Sequence, residues 1–462
     1  MKLCVSSKPA TQAWFSHSQL LMRSVSTLAI TLCGLAVVGP SKAQADTITN
    51  SSKIVGKTGA QGAGNTTWLN GNNGDPGGNA VSLTGSQNYI NTATGSITGG
   101  TGGKGGNAKY SGNGAQGGAG VSISGTGNTL NNSGFIVGGQ GGNAGNTSIE
   151  FGNYGVGGYG VEITSTGNTL INSGNIAGAH GGNGRTNGSY TYANAVYVTA
   201  TNNTVELDVG GSFSNDVVST VTGNTFTLGG NGTSTFDFSN SASQIKGFSK
   251  FKVTGNSDWK ILGTNTTSDD VTIDTGATLE LGTGGTSGLI VSGQAIHDNG
   301  TLVVNHSDTV TLGQVIDGTG ALVQAGSGKT VIAGADTYTG SPSITAGTLA
   351  LTGAGSAGAS SGVHNNGVLD VSATTSLTPS LTALDGAGSV VLGSNTLTLT
   401  NANSSFGNVF SGIISGTGSV NLAAGTEIFT GDNTYSGSTA IGSGSTLQLG
   451  DGGTGGRIAS SS

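Results

Sequence analysis

Short runs of β-branched and leucine residues recur between Gly, Asn and Ser turns along almost the whole chain. In Val121-Ser-Ile123 and around Leu130, apolar positions alternate with Ser, Thr and Asn, the period-two pattern of a half-buried strand. After residue 45 no stretch sustains apolar residues at helical spacing, and glycine interrupts almost every candidate. The runs also repeat: Val81-Ser-Leu-Thr84, Val121-Ser-Ile-Ser124 and Val161-Glu-Ile-Thr164 stand forty residues apart, each followed at one offset by Asn88, Asn128 or Asn168. Val196-Tyr-Val-Thr199 opens a shorter copy.

A second phrase fills the C-terminal half. Gly318-Thr-Gly-Ala-Leu322, Asp336-Thr-Tyr-Thr-Gly340 and Ala346-Gly-Thr-Leu-Ala-Leu351 return as Gly416-Thr-Gly-Ser-Val420, Asn433-Thr-Tyr-Ser-Gly437 and Ser443-Gly-Ser-Thr-Leu-Gln-Leu449. One such unit cannot bury its apolar face alone, but stacking the next unit on it does. The pattern therefore predicts an all-β fold, a right-handed parallel β-helix (a solenoid) with Gly-rich loop insertions. Asparagines at one offset would stack as hydrogen-bonded ladders, and glycines would supply positive-φ corners. At roughly twenty residues per turn, forty residues read as two turns.

Glycine supplies 89 of 462 residues, where about 7% is usual. Collagen is excluded, because glycine keeps no strict every-third period and there are five prolines. The tracts Gly99–Gly120 and Gly138–Gly160 hold few apolar residues and read as loops or glycine-rich sheets projecting from one face. The aromatics in and beside them (Tyr110, Phe151, Tyr154, Tyr159, Tyr190 and Tyr192) either contact sugars or protein, or pack the loops back. Phe213, Phe226, Phe236, Phe238, Phe248, Phe251 and Trp259 read as a larger local core at a junction between repeat types.

Residues 1–45 read as an export signal. Lys2, Lys8 and Arg23 precede the apolar core Leu28–Val38, too short to span a bilayer. Ala43-Gln-Ala45 then offers small residues for cleavage before Asp46. Both cysteines, Cys4 and Cys33, lie in this segment, so no disulfide is expected in the mature chain. Removing Lys2, Lys8, Arg23 and Lys42 from the 15 Lys and Arg leaves 11 against 22 Asp and Glu, a net charge of about −11. That disfavours nucleic acid as a partner. The division expected is 1–45 signal peptide, 46–245 Gly/Asn-rich β-helix with forty-residue repeats, and 246–462 β-helix of the second repeat.

Familiar chemical motifs fail. Gly326-Ser-Gly-Lys-Thr330 ends like a phosphate loop, but Val323 stands where its first glycine belongs and no helix follows. The glycine tracts lack the aspartates of a calcium roll. No H-E-x-x-H pattern occurs among the five histidines. Asp269, Asp270 and Asp274 form the one tight acidic group, read as a solvated turn before a strand rather than an acid–base pair. No catalytic, cofactor-binding or metal-binding residue is assigned, and no cofactor is expected.

The G-x-G-x-L, N/D-T-Y-T/S-G and A-G-T-L phrases resemble the autotransporter-associated β-strand repeat of passenger regions secreted across Gram-negative outer membranes. Asp336 stands where that repeat usually carries Asn, and Ser445 replaces a Gly. Thr275-Gly-Ala-Thr-Leu-Glu-Leu281, Asn299-Gly-Thr-Leu-Val-Val304 and Asn366-Gly-Val-Leu-Asp-Val371 extend the resemblance over 246–462. It implies a β-helical passenger displayed on or released from the cell surface, and no single activity, since such passengers serve as adhesins, enzymes and autoaggregation factors. It also implies a C-terminal β-barrel translocator as partner. The chain stops in mid-repeat at Gly455-Gly-Arg-Ile-Ala-Ser-Ser-Ser462 without such strands, as a truncated frame, an isolated passenger or a fragment would. Without a barrel the periplasm is the expected location. The expected function is a surface-displayed stalk or adhesin contacting glycans or proteins of host or neighbouring cells; the alternative is a β-helical polysaccharide-degrading enzyme.

Overall fold

The computed structural model describes residues 46–64, 70–146, 152–182, 192–241, 244–265, 270–290, 293, 295–357, 360–403, 405–453 and 455–459. Ala43 and Ala45 of the expected cleavage site lie outside these residues, and Asp46 opens the strand Asp46–Asn50. Thr47–Ser462 forms one continuous unit.

Short strands follow one another around successive coils, each pairing with its equivalent one coil on. The longest ladder runs through Asp46–Asn50, Gln87–Asn91, Thr129–Asn132, Thr169–Asn172, Thr204–Asp208, Thr225–Gly229, Lys250–Val253, Asp270–Ile273, Ile296–Asp298 and Ile316–Asp317. Ladders among the described residues are parallel and inward side chains sit in line, as Leu130 on Leu170 and Leu279 on Leu302. The fold is all-β and built as a parallel β-helix. Its core is a continuous stack of Val, Ile and Leu, because the period-two alternation points the same face inward in every coil.

The forty-residue repeat is one coil, not two. Val81 pairs Val121, and Val121 pairs Val161. From Val196 the step shortens: Val196 pairs Val217, and Ile296 pairs Ile316. The glycine tracts account for the extra length of the early coils.

Those tracts are neither irregular loops nor β-sheet. Gly99, Gly102 and Gly105 donate their N–H groups to the carbonyls of Val137, Gln140 and Asn143, at 2.9, 2.8 and 2.9 Å. Gly100, Gly103 and Gly106 donate to Gly78, Asp75 and Asn72 in the opposite direction, at 2.8, 2.7 and 2.7 Å. One bond to a neighbouring leg at every third residue matches the three-residue turn of polyproline II, which makes no hydrogen bonds of its own. Each tract leaves the β-helix as one such leg and returns as another. Outgoing legs bond to outgoing legs of adjacent coils and, across a second layer, to returning legs. Two residues of each turn thus face other backbones, and a Cβ on Gly102 or Gly103 would come within 2.0 Å or 1.9 Å of a carbonyl oxygen. The third residue (Thr101, Lys104) faces outward. Glycine therefore does keep a local every-third period here, as doublets in Gly99-Gly-Thr-Gly-Gly-Lys-Gly-Gly106. Its role in these legs is close backbone approach rather than positive φ, which among these coils belongs to turn positions such as Gly127 and Gly167.

Asparagine ladders line the turns. Asn50 donates to Asn91, Asn91 to Asn132, and Asn132 to Asn172, at 2.9, 2.7 and 2.8 Å. A second column joins Asn128 to Asn168 at 3.0 Å, and the backbone N–H of Asn168 donates to Asn203 at 2.8 Å. Asn88 is not in it: the strand register sets Asn88 opposite Thr129, so Gln87 meets Asn128 instead. Farther on, Phe226 packs on Phe236, Phe248 and Phe251, and the indole of buried Trp259 donates to the Gly229 carbonyl at 3.0 Å. The aromatic group is core, at the coils where the register step changes.

Candidate functional site

The acidic group is spent on neighbours. Asp269 lies outside the described residues. Asp274 binds Lys252 and accepts from Thr254, both at 2.7 Å, and Asp270 faces His297 at 3.3 Å. His297 also meets Asp317 at 2.7 Å, directly opposite in the register. The same arrangement recurs at His364 and Asp385, 2.6 Å apart. Parallel in-register pairing places such partners one coil apart on the outer face, where exposed pairs contribute roughly 0–1 kcal/mol. Glu206 beside Asp208 is pushed up to about 7, first by burial and then by the hydrogen bond with Asp208. Gly229 covers this pair, since a Cβ there would come within 2.2 Å of the Glu206 Oε1.

The phosphate-loop look-alike is ordinary coil. Lys329–Ile332 is a strand, Lys329 reaches Asp370 at 3.4 Å, and buried Thr330 donates to Gln324. Among the described residues no group of three or more His, Cys, Asp or Glu is placed to hold a metal. In the C-terminal repeat, Tyr338 and Tyr435 are buried, so the Thr-Tyr phrase is a core anchor.

The aromatics of the glycine tracts divide. Tyr192 is 60% exposed and meets His180 edge-on at 6.1 Å. Tyr159 stacks on Tyr197 with centroids 4.5 Å apart and planes 16° apart. Phe151 and Tyr190 lie outside the described residues. Tyr159 also walls a cavity of about 180 Å³, with Pro76, Asn79, Gln116, Ala119 and Glu162 around it. Sequence reasoning missed this place. The signal available was that the residues forty apart, Asn79, Ala119 and Tyr159, differ sharply in size.

The family model of the passenger-associated-transport repeat matches residues 322–351 and 424–449, the two copies of the second phrase. The chain carries the repeats of an autotransporter passenger region, on the stacked coils described above. Among curated proteins it is similar to the adhesin BmaC autotransporter of Brucella suis biovar 1 (strain 1330), with 34% identity over 184 residues. That match covers 38% of this chain and 5% of the relative, so the chain spans a small part of the protein it resembles. No solved structure matches.

Proposed function

We propose that this chain is a surface-displayed, adhesin-like stalk of an autotransporter passenger, non-enzymatic, exported by its N-terminal signal and carried outward by a β-barrel translocator. The observation that carries the reading is the coincidence of passenger-associated-transport repeats with a continuous parallel stack. Adhesion by the relative BmaC supports it. Polar side chains recur on successive coils, as in the column Thr129, Thr169, Thr204 and Thr225, so many weak contacts with glycans or proteins of host or neighbouring cells would add up by avidity. Against polysaccharide cleavage by the acidic group, Asp274 is held by Lys252 and Thr254, and Asp270 lies against His297.

The test is display of the full chain on a non-adherent Gram-negative cell through a translocator barrel, compared with the barrel alone. Attachment to host-cell monolayers, or clumping of the displaying cells, should rise several-fold without release of soluble oligosaccharide. Attachment equal to the barrel alone would overturn the adhesive role, and oligosaccharide release would overturn the non-enzymatic one.

A further inference from the structure

We propose that the notch beside Tyr159 binds one neutral pyranose ring, as a terminal or branch unit of a surface glycan. The returning polyproline II legs present every third residue outward, so successive coils build a grid of side chains. One row carries Pro76 and Asn79, the next Gln116 and Ala119, the next Val156 and Tyr159. The adjoining strands add Ser122 and Glu162, which are register partners.

The middle row is the short one. Ala119 and Ser122 are small and almost buried, while the row beyond carries Tyr159 and Glu162. Rows two coils apart are separated by about 9–10 Å. Leaving one side chain out of the column therefore opens a slot the thickness of a single ring. Tyr197 backs Tyr159 from the far side and does not border the cavity, which fixes the Tyr159 ring and leaves its other face for a ligand. Around this platform stand Gln116 and Glu162. Asn79 spends its Oδ1 on the Ala119 N–H at 2.9 Å, which leaves its amide N–H groups for an acceptor.

An aromatic face with amide and carboxyl groups at its rim suits a sugar ring, whose C–H face stacks while its hydroxyls donate and accept. Burial raises the Glu162 carboxyl above the ordinary range and desolvation raises the Tyr159 phenol, which accords with a partly dry slot. Glu162 and the acidic chain disfavour anionic sugars. The cavity holds one ring rather than a chain, so affinity per site is weak and its use rests on multivalent display.

The experiment is saturation-transfer NMR on the full chain with methyl glycosides of glucose, galactose, mannose and N-acetylglucosamine, and with N-acetylneuraminic acid. Transfer to at least one neutral ring is expected. It should vanish in Tyr159→Ala, which removes the platform, and in Ala119→Tyr, which fills the slot with a side chain its column already carries. Thermal unfolding of both variants reports that the fold is intact. No transfer to any neutral glycoside, transfer that survives Ala119→Tyr, or transfer confined to N-acetylneuraminic acid would overturn the proposal. The inference rests on the adhesin-like reading for its biological use. A parent chain that mediates attachment but shows no transfer to any neutral glycoside would discard the notch alone; attachment by the parent chain equal to that of the barrel alone would discard that reading.

Discussion

Asp336 shows how one atom can mark a departure from a repeat. Its Oδ1 accepts the Ile316 N–H at 2.9 Å, while Oδ2 is buried without a partner. At the same place in the next copy, Asn433 accepts the Ile414 N–H at 2.9 Å, and its amide donates to the carbonyls of Gly431 and Arg457 at 3.3 and 3.2 Å. Burial pushes Asp336 up to about 7, against about 3.9 in an unfolded chain. A raised carboxyl contributes its stability in acid, below the unfolded value, and loses it as pH rises through the folded value. Asp336→Asn should therefore stabilise the chain by about 1–3 kcal/mol above neutrality, with the gain shrinking in mild acid; chemical denaturation at both pH values measures it. Asp298, raised to about 6, and Glu427, raised to about 9 with both oxygens unpartnered, bias the parent chain the same way. The Asp-for-Asn exchange was legible in the sequence because the repeat supplied its own comparison. The cost was not, since it depends on which backbone groups lie one coil away.

At the scale of the element, the polyproline II legs hold because glycine lets backbones touch. Gly103→Ala would drive a Cβ to 1.9 Å from the Ala60 carbonyl oxygen and 2.9 Å from Asp75 N. Backbone cannot yield as a flexible side chain does, so the substitution should destabilise these coils by roughly 1–3 kcal/mol or more. Thr101→Ala, two residues earlier on the outward face, should stay within about 0.5 kcal/mol. Amide hydrogen exchange at Gly100–Gly106 separates the two outcomes, with protection lost in the first and kept in the second. The doublet spacing of these glycines is visible in the sequence. A projecting glycine-rich segment was foreseen from it, but the conformation was not, because polyproline II carries no bonds within the leg and its partners lie in other coils.

For Thr47–Ser462 taken whole, stability is nearly one-dimensional, since each coil touches its neighbours. Leu170→Ala removes a fully buried side chain between Leu130 and Val205 and should cost about 2–5 kcal/mol. The loss should stay local. Hydrogen exchange should speed up in the strands Thr129–Asn132 and Thr204–Asp208 and remain unchanged in the distant strand Thr396–Leu399. Uniform acceleration along the chain would show a single cooperative unit instead.

The sequence by itself determined the all-β class, the inward face of each strand and the existence of a stack, because a period of two and a fixed repeat are local properties of the chain. It also determined that Phe226, Phe251 and Trp259 gather into one core and that Asn128 and Asn168 share a column. Only the tertiary structure decided that forty residues close one coil, that Asn88 slips one place from its column, and that the glycine tracts form hydrogen-bonded polyproline II layers. The notch at Ala119 belongs to the same group. Each of these depends on register between coils, and register is set where two backbones meet, at distances of twenty to forty residues that no local pattern encodes.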